Sequence, residues 1–131
     1  MQLKNLVVSG GDVSGINYKN LDGIAELKSL ENLTLHEFGA VDLHPLRRMT
    51  WLKCFYCGYA KEVNDIEAVA SFEDPKQITL IDLDIDSLDF LDAFPDNTVL
   101  ELALLRVKKG IDRKKLLRFT NGDFGDIEFP Y

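Results

Sequence analysis

The sequence predicts a single α/β domain in which about five short parallel strands alternate with short helical segments. The first observation is a fixed apolar spacing, Leu27-x-x-Leu30-x-x-Leu33-x-Leu35. It returns in worn form as Met49-x-x-Leu52-x-Cys54, Ile78-x-Leu80 and Leu100-x-Leu102. The second observation is a helix-start residue after each strand. Because a strand pattern and a capping pattern need not share a period, their joint recurrence indicates repeated units.

Five strands follow from the apolar spacing. They centre on residues 6–8, 33–35, 52–54, 78–80 and 100–102, at separations of 27, 19, 26 and 22 residues. In each strand alternate side chains face opposite sides of the sheet. The predicted inward set therefore includes Leu33, Leu35, Leu52 and Cys54.

A short helical segment is predicted after each strand, because Asp and Ser accept hydrogen bonds from the free N–H groups of a first helical turn. The capping residues are Asp22, Asp42, Asp65, Ser87 and Asp112, and the segments are 23–30, 43–49, 66–72, 88–94 and 113–119. Pro45 suits the start of its segment and Pro95 the end of another. Parallel strands with helical crossovers connect in a right-handed sense.

These strand and cap patterns resemble those of leucine-rich repeat proteins over residues 3–117. The resemblance implies a short right-handed solenoid of about five β-loop-α units with a parallel sheet on its concave face. The family places Asn or Cys three residues after the second strand leucine. Here Gly11, Phe38, Cys57, Leu83 and Leu105 hold that place, so apolar side chains are expected to fill the turns. An ordinary open α/β sheet is the rival architecture.

The chain is expected to form one domain over residues 1–131, with residues 119–131 as a capping tail. Asn121-Gly122 is a turn signal, and residues 126–129 alternate like a short strand. At the other end, the chain enters its first strand without a helical cap. Either residues 1–5 are protected by another contact, or this edge strand pairs with a second copy.

Net charge −7 argues against nucleic acid as the main ligand, because phosphate binding needs a basic surface. Residues 62–101 are acidic except for Lys76, whereas residues 106–118 are rich in Lys and Arg. The charges are either solvated or an attractant for a basic partner. The chain lacks a secretory pattern, an apolar membrane span and a disulfide framework, so a cytoplasmic location is expected.

The pair Cys54 and Cys57 is the most conspicuous candidate for metal or redox chemistry. Zinc needs four ligands, and His36 and His44 lack the usual spacing to complete the set. A redox pair needs an exposed cysteine at a helix start. A packed structural thiol is therefore predicted at each position. Catalysis by Cys54 with His36 is disfavoured because the predicted register places the two on opposite sheet faces.

Two other motifs carry little chemistry. Asp82-Leu-Asp84-Ile-Asp86 resembles the opening of a calcium loop, but Ser87 replaces the required Gly and Ala93 the required Glu. Gly10-Gly11 lacks the rest of a phosphate loop. The expectation is a chain without a catalytic site, metal or cofactor.

The outward residues of the predicted strands define a partner-binding surface on the concave sheet face, with Trp51 and Phe55 as aromatic anchors. The alternative is that the tail or a helix covers these two rings as core. The complete predicted set is Thr34, His36, Trp51, Lys53, Phe55, Thr79, Ile81, Val99 and Glu101.

The leading functional hypothesis is a non-enzymatic protein-binding module. Its size and acidity are similar to those of immunity proteins or antitoxin-like inhibitors, which implies a basic protein partner. The alternatives are a structural subunit that dimerises or docks through its N-terminal edge, an adapter, and an enzyme.

Overall fold

The computed structural model describes residues 3–9, 23–110, 114–119 and 122–128. Nine strands, four 3₁₀ segments and one short α-helix lie in these ranges. In chain order the strands are β1 (Asn5–Ser9), β2 (Asn32–His36), β3 (Ala40–Asp42), β4 (Cys54–Ala60), β5 (Glu62–Asn64), β6 (Gln77–Ile85), β7 (Val99–Val107), β8 (Gly122–Phe124) and β9 (Ile127–Glu128). The 3₁₀ segments are Ile24–Glu26, His44–Arg48, Ile66–Ser71 and Asp89–Ala93, and α1 is Lys114–Leu117.

The main sheet is parallel throughout the described strands, in the order β1-β2-β4-β6-β7-β8, with β9 also paired to β7. Strands β3 and β5 form a second, two-stranded parallel sheet. The predicted α/β class with a parallel sheet is therefore confirmed. Helical structure is sparse, because most of the connections are 3₁₀ turns.

The strands pair with a nearly constant offset along the chain. Asn32 pairs with Cys54, Cys54 with Gln77, and Gln77 with Val99, which are steps of 22, 23 and 22 residues. Consecutive main strands thus lie side by side in equivalent positions. We call each main strand with the turn that follows it a unit.

The predicted strand at residues 52–54 is wrong in register. Strand β4 starts at Cys54, and its inward residues are Phe55 and Cys57, which pair with Leu33 and Leu35. Leu52 is fully buried, but it lies in the segment before the strand. The true spacing is Met49-x-x-Leu52-x-x-Phe55-x-Cys57, which matches residues 27–35 without a gap.

The core consists of two continuous rows of inward side chains with the 3₁₀ segments packed against them. Both rows are nearly inaccessible to solvent. They are Leu33, Phe55, Ile78 and Leu100 in one row, and Leu35, Cys57, Leu80 and Leu102 in the other.

The helical segments lie where the sequence predicts them, but four of the five are 3₁₀ rather than α. A 3₁₀ helix rises about 2.0 Å per residue against 1.5 Å for an α-helix, so it covers more length with fewer residues. This suits units of only 22 or 23 residues. No helix in the described ranges has the length and apolarity that crossing a bilayer requires.

Two of the predicted helix-start residues bind the backbone of the turn that follows them. Asp42 Oδ1 accepts the N–H of His44 at 3.0 Å, and Ser87 Oγ accepts the N–H of Asp89 at 3.3 Å. Asp65 does not cap its own segment. Asp22 and Asp112 lie outside the described residues.

The Asp65 carboxylate instead joins two consecutive units. It accepts hydrogen bonds from Arg47 at 2.7 and 2.6 Å and lies 3.1 Å from His44 Nδ1. The hydrogen bond from Arg47 is the main reason that the pKa of Asp65 lies below its ordinary value. Its backbone is left-handed, with φ 61°, a conformation that Asp and Asn tolerate.

This arrangement predicts a pH-dependent effect of Asp65→Asn. A lowered folded-state pKa means that the ionised carboxylate stabilises the fold above the unfolded-state pKa of about 3.9. That contribution disappears as the pH falls through the folded-state pKa. We expect the variant to lose about 1 kcal/mol at pH 6, since the pair is partly exposed. Urea midpoints should show the difference shrinking at pH 2.5. A difference that persists at that pH would contradict this explanation.

Each unit bends at the end of its main strand. The residues at the bend, Glu37, Tyr59, Asp82 and Leu104, all have positive φ between 55° and 62° and recur at steps of 22, 23 and 22. The residues that follow them, Phe38, Ala60, Leu83 and Leu105, are all buried. The expectation that apolar side chains fill these turns is confirmed, except that Ala60 takes the place predicted for Cys57.

The C-terminal tail covers the last long strand. Both β8 and β9 pair in parallel with β7, so the strand predicted within residues 126–129 is confirmed. Gly122 begins β8, whereas Asn121 lies outside the described residues. At the opposite side of the sheet, β1 pairs with β2. Gly11 and residues 1–2 also lie outside the described ranges.

Candidate functional site

One face of the main sheet is opposite the core, and we call it the open face. Its side chains alternate with the two buried rows along each strand. Amides and hydroxyls predominate on it. The members are Asn5, Val7, Ser9, Asn32, Thr34, His36, Cys54, Tyr56, Gly58, Gln77, Thr79, Ile81, Val99, Glu101, Ala103 and Asp123.

Six of the nine predicted partner-binding residues lie on the open face. They are Thr34, His36, Thr79, Ile81, Val99 and Glu101. Their strands were predicted in the correct register, so their alternation was also correct.

Phe55 is on the other side of the sheet. Its ring is 2% exposed and packs edge-on against Phe72, with ring centroids 5.9 Å apart. The predicted placement of Phe55 as an exposed anchor is therefore wrong, and the alternative of a core residue is correct. Tyr56 has its place on the open face, and the uninterrupted spacing Met49-x-x-Leu52-x-x-Phe55 was the signal for it.

Trp51 and Lys53 precede β4 and are not part of the open face. Trp51 is half-buried and packs against the core, with the Lys28 ammonium 4.8 Å from its ring centroid. Its indole Nε1 is buried without a hydrogen-bond acceptor. Lys53 extends toward Asp74, at 3.9 Å. The predicted aromatic anchor Trp51 is thus a flank of the core.

A depression of about 180 Å³ lies in the open face across strands β2, β4 and β6. Pockets for drug-sized ligands measure about 300–1,000 Å³, so this depression suits a single side chain better than a small molecule. Its lining is Asn32, Leu33, Thr34, Cys54, Phe55, Tyr56, Gln77 and Thr79.

Polar groups in the depression are largely uncommitted. Asn32 donates its amide to Asn5 Oδ1 across the strand pair. The hydroxyls of Thr34 and Thr79, by contrast, make no hydrogen bond within the described part of the chain. Thr79 is only 5% exposed, so its hydroxyl has lost most of its water without gaining a protein partner. An uncompensated buried hydroxyl costs free energy, and a ligand that binds it recovers that cost.

Tyr56 forms one wall of the depression and leans along its own strand over Gly58. A Cβ atom at position 58 would lie 2.8 Å from the phenol oxygen, so only glycine leaves room for the ring there. Burial is the main reason that the pKa of Tyr56 lies above its ordinary value, and nearby Tyr59 and Glu101 add to the effect. The phenol is therefore neutral at physiological pH and keeps its proton to donate.

The acidic and basic stretches of the sequence neutralise each other between units. Arg106 binds both Asp84 and Asp82, the latter at 2.8 Å. Further pairs continue this pattern at distances from 2.5 to 3.4 Å: Lys108–Asp86, Lys109–Asp89, Lys115–Asp92 and Arg118–Asp96. The acidic residues from 82 to 96 are thus supplied with cations by the chain itself. The carboxylates that resemble a calcium loop are among them.

Two carboxylates on the open face lack such compensation. Glu101 on β7 and Asp123 on β8 are paired in register, directly beside each other. Within the described residues neither makes an ion pair or a hydrogen bond. Apart from His36, they are the only ionisable acidic or basic side chains on the described open face.

Two more depressions, of about 260 and 240 Å³, flank Tyr59 at the ends of the strands. They share Lys61, and the first is bordered by Asp82 and Arg106. Those two charged groups already bind each other at 2.8 Å. These depressions therefore offer fewer free groups to a ligand than the one on the open face.

The two cysteines face opposite sides of β4. Cys54 is half-buried on the open face, contrary to the predicted inward placement, whereas Cys57 is fully buried. His36 is also on the open face, so the premise that His36 and Cys54 lie on opposite faces is wrong. Four residues separate their positions in register, a distance of about 13 Å along the strand. Within the described ranges, no three His, Cys, Asp or Glu side chains are grouped as metal ligands.

Burial predicts unequal reactivity of the two thiols. It raises the pKa of Cys57 to about 12, so at pH 8 its thiolate is roughly a thousandfold scarcer than that of a free thiol with pKa about 8.5. Iodoacetamide should modify Cys54 in the native protein and Cys57 only in urea, as measured by peptide mass spectrometry. Equal native labelling of both thiols would contradict the observed register.

No protein-family model matches this chain, and neither does any curated protein or solved structure at a significant level.

Proposed function

We propose that the chain is a short right-handed leucine-rich repeat solenoid that binds a protein partner on its open, concave face without catalysing a reaction. The support for the architecture is the offset of 22 or 23 residues between paired strands. Bends with positive φ recur at the same steps. Stacked, equivalent units are the defining property of a solenoid, and right-handed crossovers are the rule for parallel strands.

The observation that carries the binding function is the state of the polar groups on the open face. Charged groups on the adjacent units are paired between neighbours, whereas Thr34, Thr79, Glu101 and Asp123 lack partners. An interface core joins such groups to aromatic area, here supplied by Tyr56. The depression between them is large enough for one anchoring side chain.

The partner in this proposal is a basic protein, and the role is that of an inhibitor similar to immunity or antitoxin-like proteins. Charge complementarity argues for it, because the uncompensated ionisable groups of the open face are the carboxylates of Glu101 and Asp123. A cytoplasmic setting belongs to the same proposal. Cys54 and Cys57 face opposite sides of one strand as free thiols, which suits reducing surroundings.

Site-specific photocrosslinking tests the binding face. A benzophenone amino acid at exposed Gln77 lies on the open face, and one at exposed Arg48 lies on a 3₁₀ segment on the other side of the sheet. In extracts of cells that produce the protein, we expect a distinct crosslinked species from position 77 and none from position 48. Equal products from both positions would contradict docking on this face.

A charge reversal gives the matched control. Glu101→Lys should weaken capture of that crosslinked protein at least tenfold, because the variant opposes a basic partner. Glu62→Lys makes the same change at an exposed residue of β5 and should leave capture unchanged. Raising the salt concentration should slow association with the wild-type protein. Equal losses in the two variants would favour a nonspecific charge effect.

A structural subunit remains the second candidate because of strand β1. Val7 on this strand is 63% exposed, and Leu3 just before it is 39% exposed. An edge strand with exposed apolar side chains can pair with a second copy. Light scattering at micromolar concentration should then give a dimer that Val7→Lys dissociates, whereas a wild-type monomer excludes this role.

A further inference from the structure

The carboxylates of Glu101 and Asp123 are placed at a cost to the sheet. They are direct cross-strand neighbours, and like charges in that position repel each other. Elsewhere the same chain supplies a cation from the next unit to each carboxylate from Asp82 to Asp96. The repulsion at this one pair would be relieved by a cation from outside the described chain.

A neighbouring group points to the same spot. Thr79 is the cross-strand neighbour of Glu101 on the other side and is 95% buried by its 5% exposure. Its hydroxyl lines the open-face depression and has no hydrogen-bond partner among the described residues. An acceptor oxygen that is desolvated but unpaired requires a donor for its compensation.

The next strand adds an aromatic wall. Tyr56, Thr79, Glu101 and Asp123 form one row across strands β4, β6, β7 and β8. Strands are about 4.8 Å apart, so Tyr56 and Glu101 stand about 10 Å apart with the small Thr79 between them. The row is therefore a slot with a phenol at one side, a hydroxyl at its floor and two carboxylates at the other side.

We propose that this row binds the guanidinium group of an arginine presented by the protein partner. The inference rests on the proposed binding function and names the chemistry that the open face recognises. A guanidinium is planar, stacks on aromatic rings and carries five donors in a fixed fork, which match the carboxylates and the Thr79 oxygen. Lysine has a compact point charge and cannot satisfy these groups together.

Titration with a small probe tests this without knowledge of the partner. The probe is N-acetyl-arginine-N-methylamide, and its neutral isostere is the citrulline counterpart. With ¹⁵N-labelled protein at low salt, the arginine probe should shift the amide signals of Thr79, Glu101 and Asp123 in a saturable way at millimolar concentration. Equal shifts with the citrulline or lysine counterpart would overturn the proposal.

Conservative variants provide the controls. Glu101→Gln and Asp123→Asn should each weaken probe binding about tenfold, and Thr79→Val should weaken it severalfold with the same spectrum elsewhere. Glu62→Gln, at an exposed carboxylate outside the open face, should have no effect. Unchanged binding in the Glu101 and Asp123 variants overturns the site.

The two proposals fail in different ways. If Gln77 crosslinks a partner but the arginine probe does not bind this row, the guanidinium site is wrong and the docking face stands. If the probe binds the row while a partner crosslinks equally from Gln77 and Arg48, the proposed docking function is wrong and the guanidinium site stands.

Discussion

Phe55→Ala should lower the free energy of unfolding by about 3–5 kcal/mol, because it removes a fully packed aromatic ring from the core. Phe55 is 2% exposed and stands between Leu33 and Ile78 in one buried row, against Phe72. Domains of this size are stable by only about 5–15 kcal/mol, so the loss is a large fraction of the total. Urea denaturation followed by circular dichroism measures it directly.

Tyr56→Ala is the matched control, one residue further along the same strand. Tyr56 is half-buried on the open face, so its removal should cost about 1 kcal/mol. It should also weaken partner capture, because the ring forms a wall of the depression. The opposite ranking of the two variants would mean that β4 faces the other way, with Cys54 inward.

Leu105→Asn should be still more damaging and leave the protein largely unfolded at 25 °C. Leu105 is fully buried at the bend of its unit, in the column that includes Phe38 and Leu83. The change removes a packed leucine, which costs about 2–5 kcal/mol, and buries an amide without partners, which adds about 1–3 kcal/mol. Loss of the cooperative urea transition is the expected observation.

The same substitution one residue earlier should be harmless. Leu104 is 47% exposed and has φ 55°, a left-handed conformation that Asn adopts more readily than Leu. Leu104→Asn should therefore change the free energy of unfolding by less than about 0.5 kcal/mol, or raise it slightly. Equal destabilisation by the two Leu→Asn variants would contradict the position of the bend.

Segment 27–35 was predicted well because its apolar spacing is complete. Leu33 and Leu35 occupy inward positions in β2, and Leu27 and Leu30 also pack in or against the core. In β4 the same spacing is obscured, since positions 52, 54, 55 and 57 are all apolar or cysteine and fit two registers. A slip of one residue moves every side chain to the other face, so Phe55 and Cys54 were exchanged.

The candidate site could be predicted only in part for the same reason. Thr34, Thr79 and Glu101 follow from strands whose register was clear, whereas Tyr56 depends on the register of β4. Asp123 belongs to a short strand at a turn signal and carries no apolar pattern of its own. Its position beside Glu101 follows from pairing with β7.

The sequence by itself determined the alternation of strands and turns, the parallel class of the sheet and the apolar filling of its bends. These properties follow from local spacing and from side-chain size. The tertiary structure decided which of two apolar residues in β4 faces the core, and which carboxylates keep no cation. Both depend on the residue that the neighbouring strand, 22 or 23 positions away, places alongside, because burial and charge compensation are properties of pairs of segments.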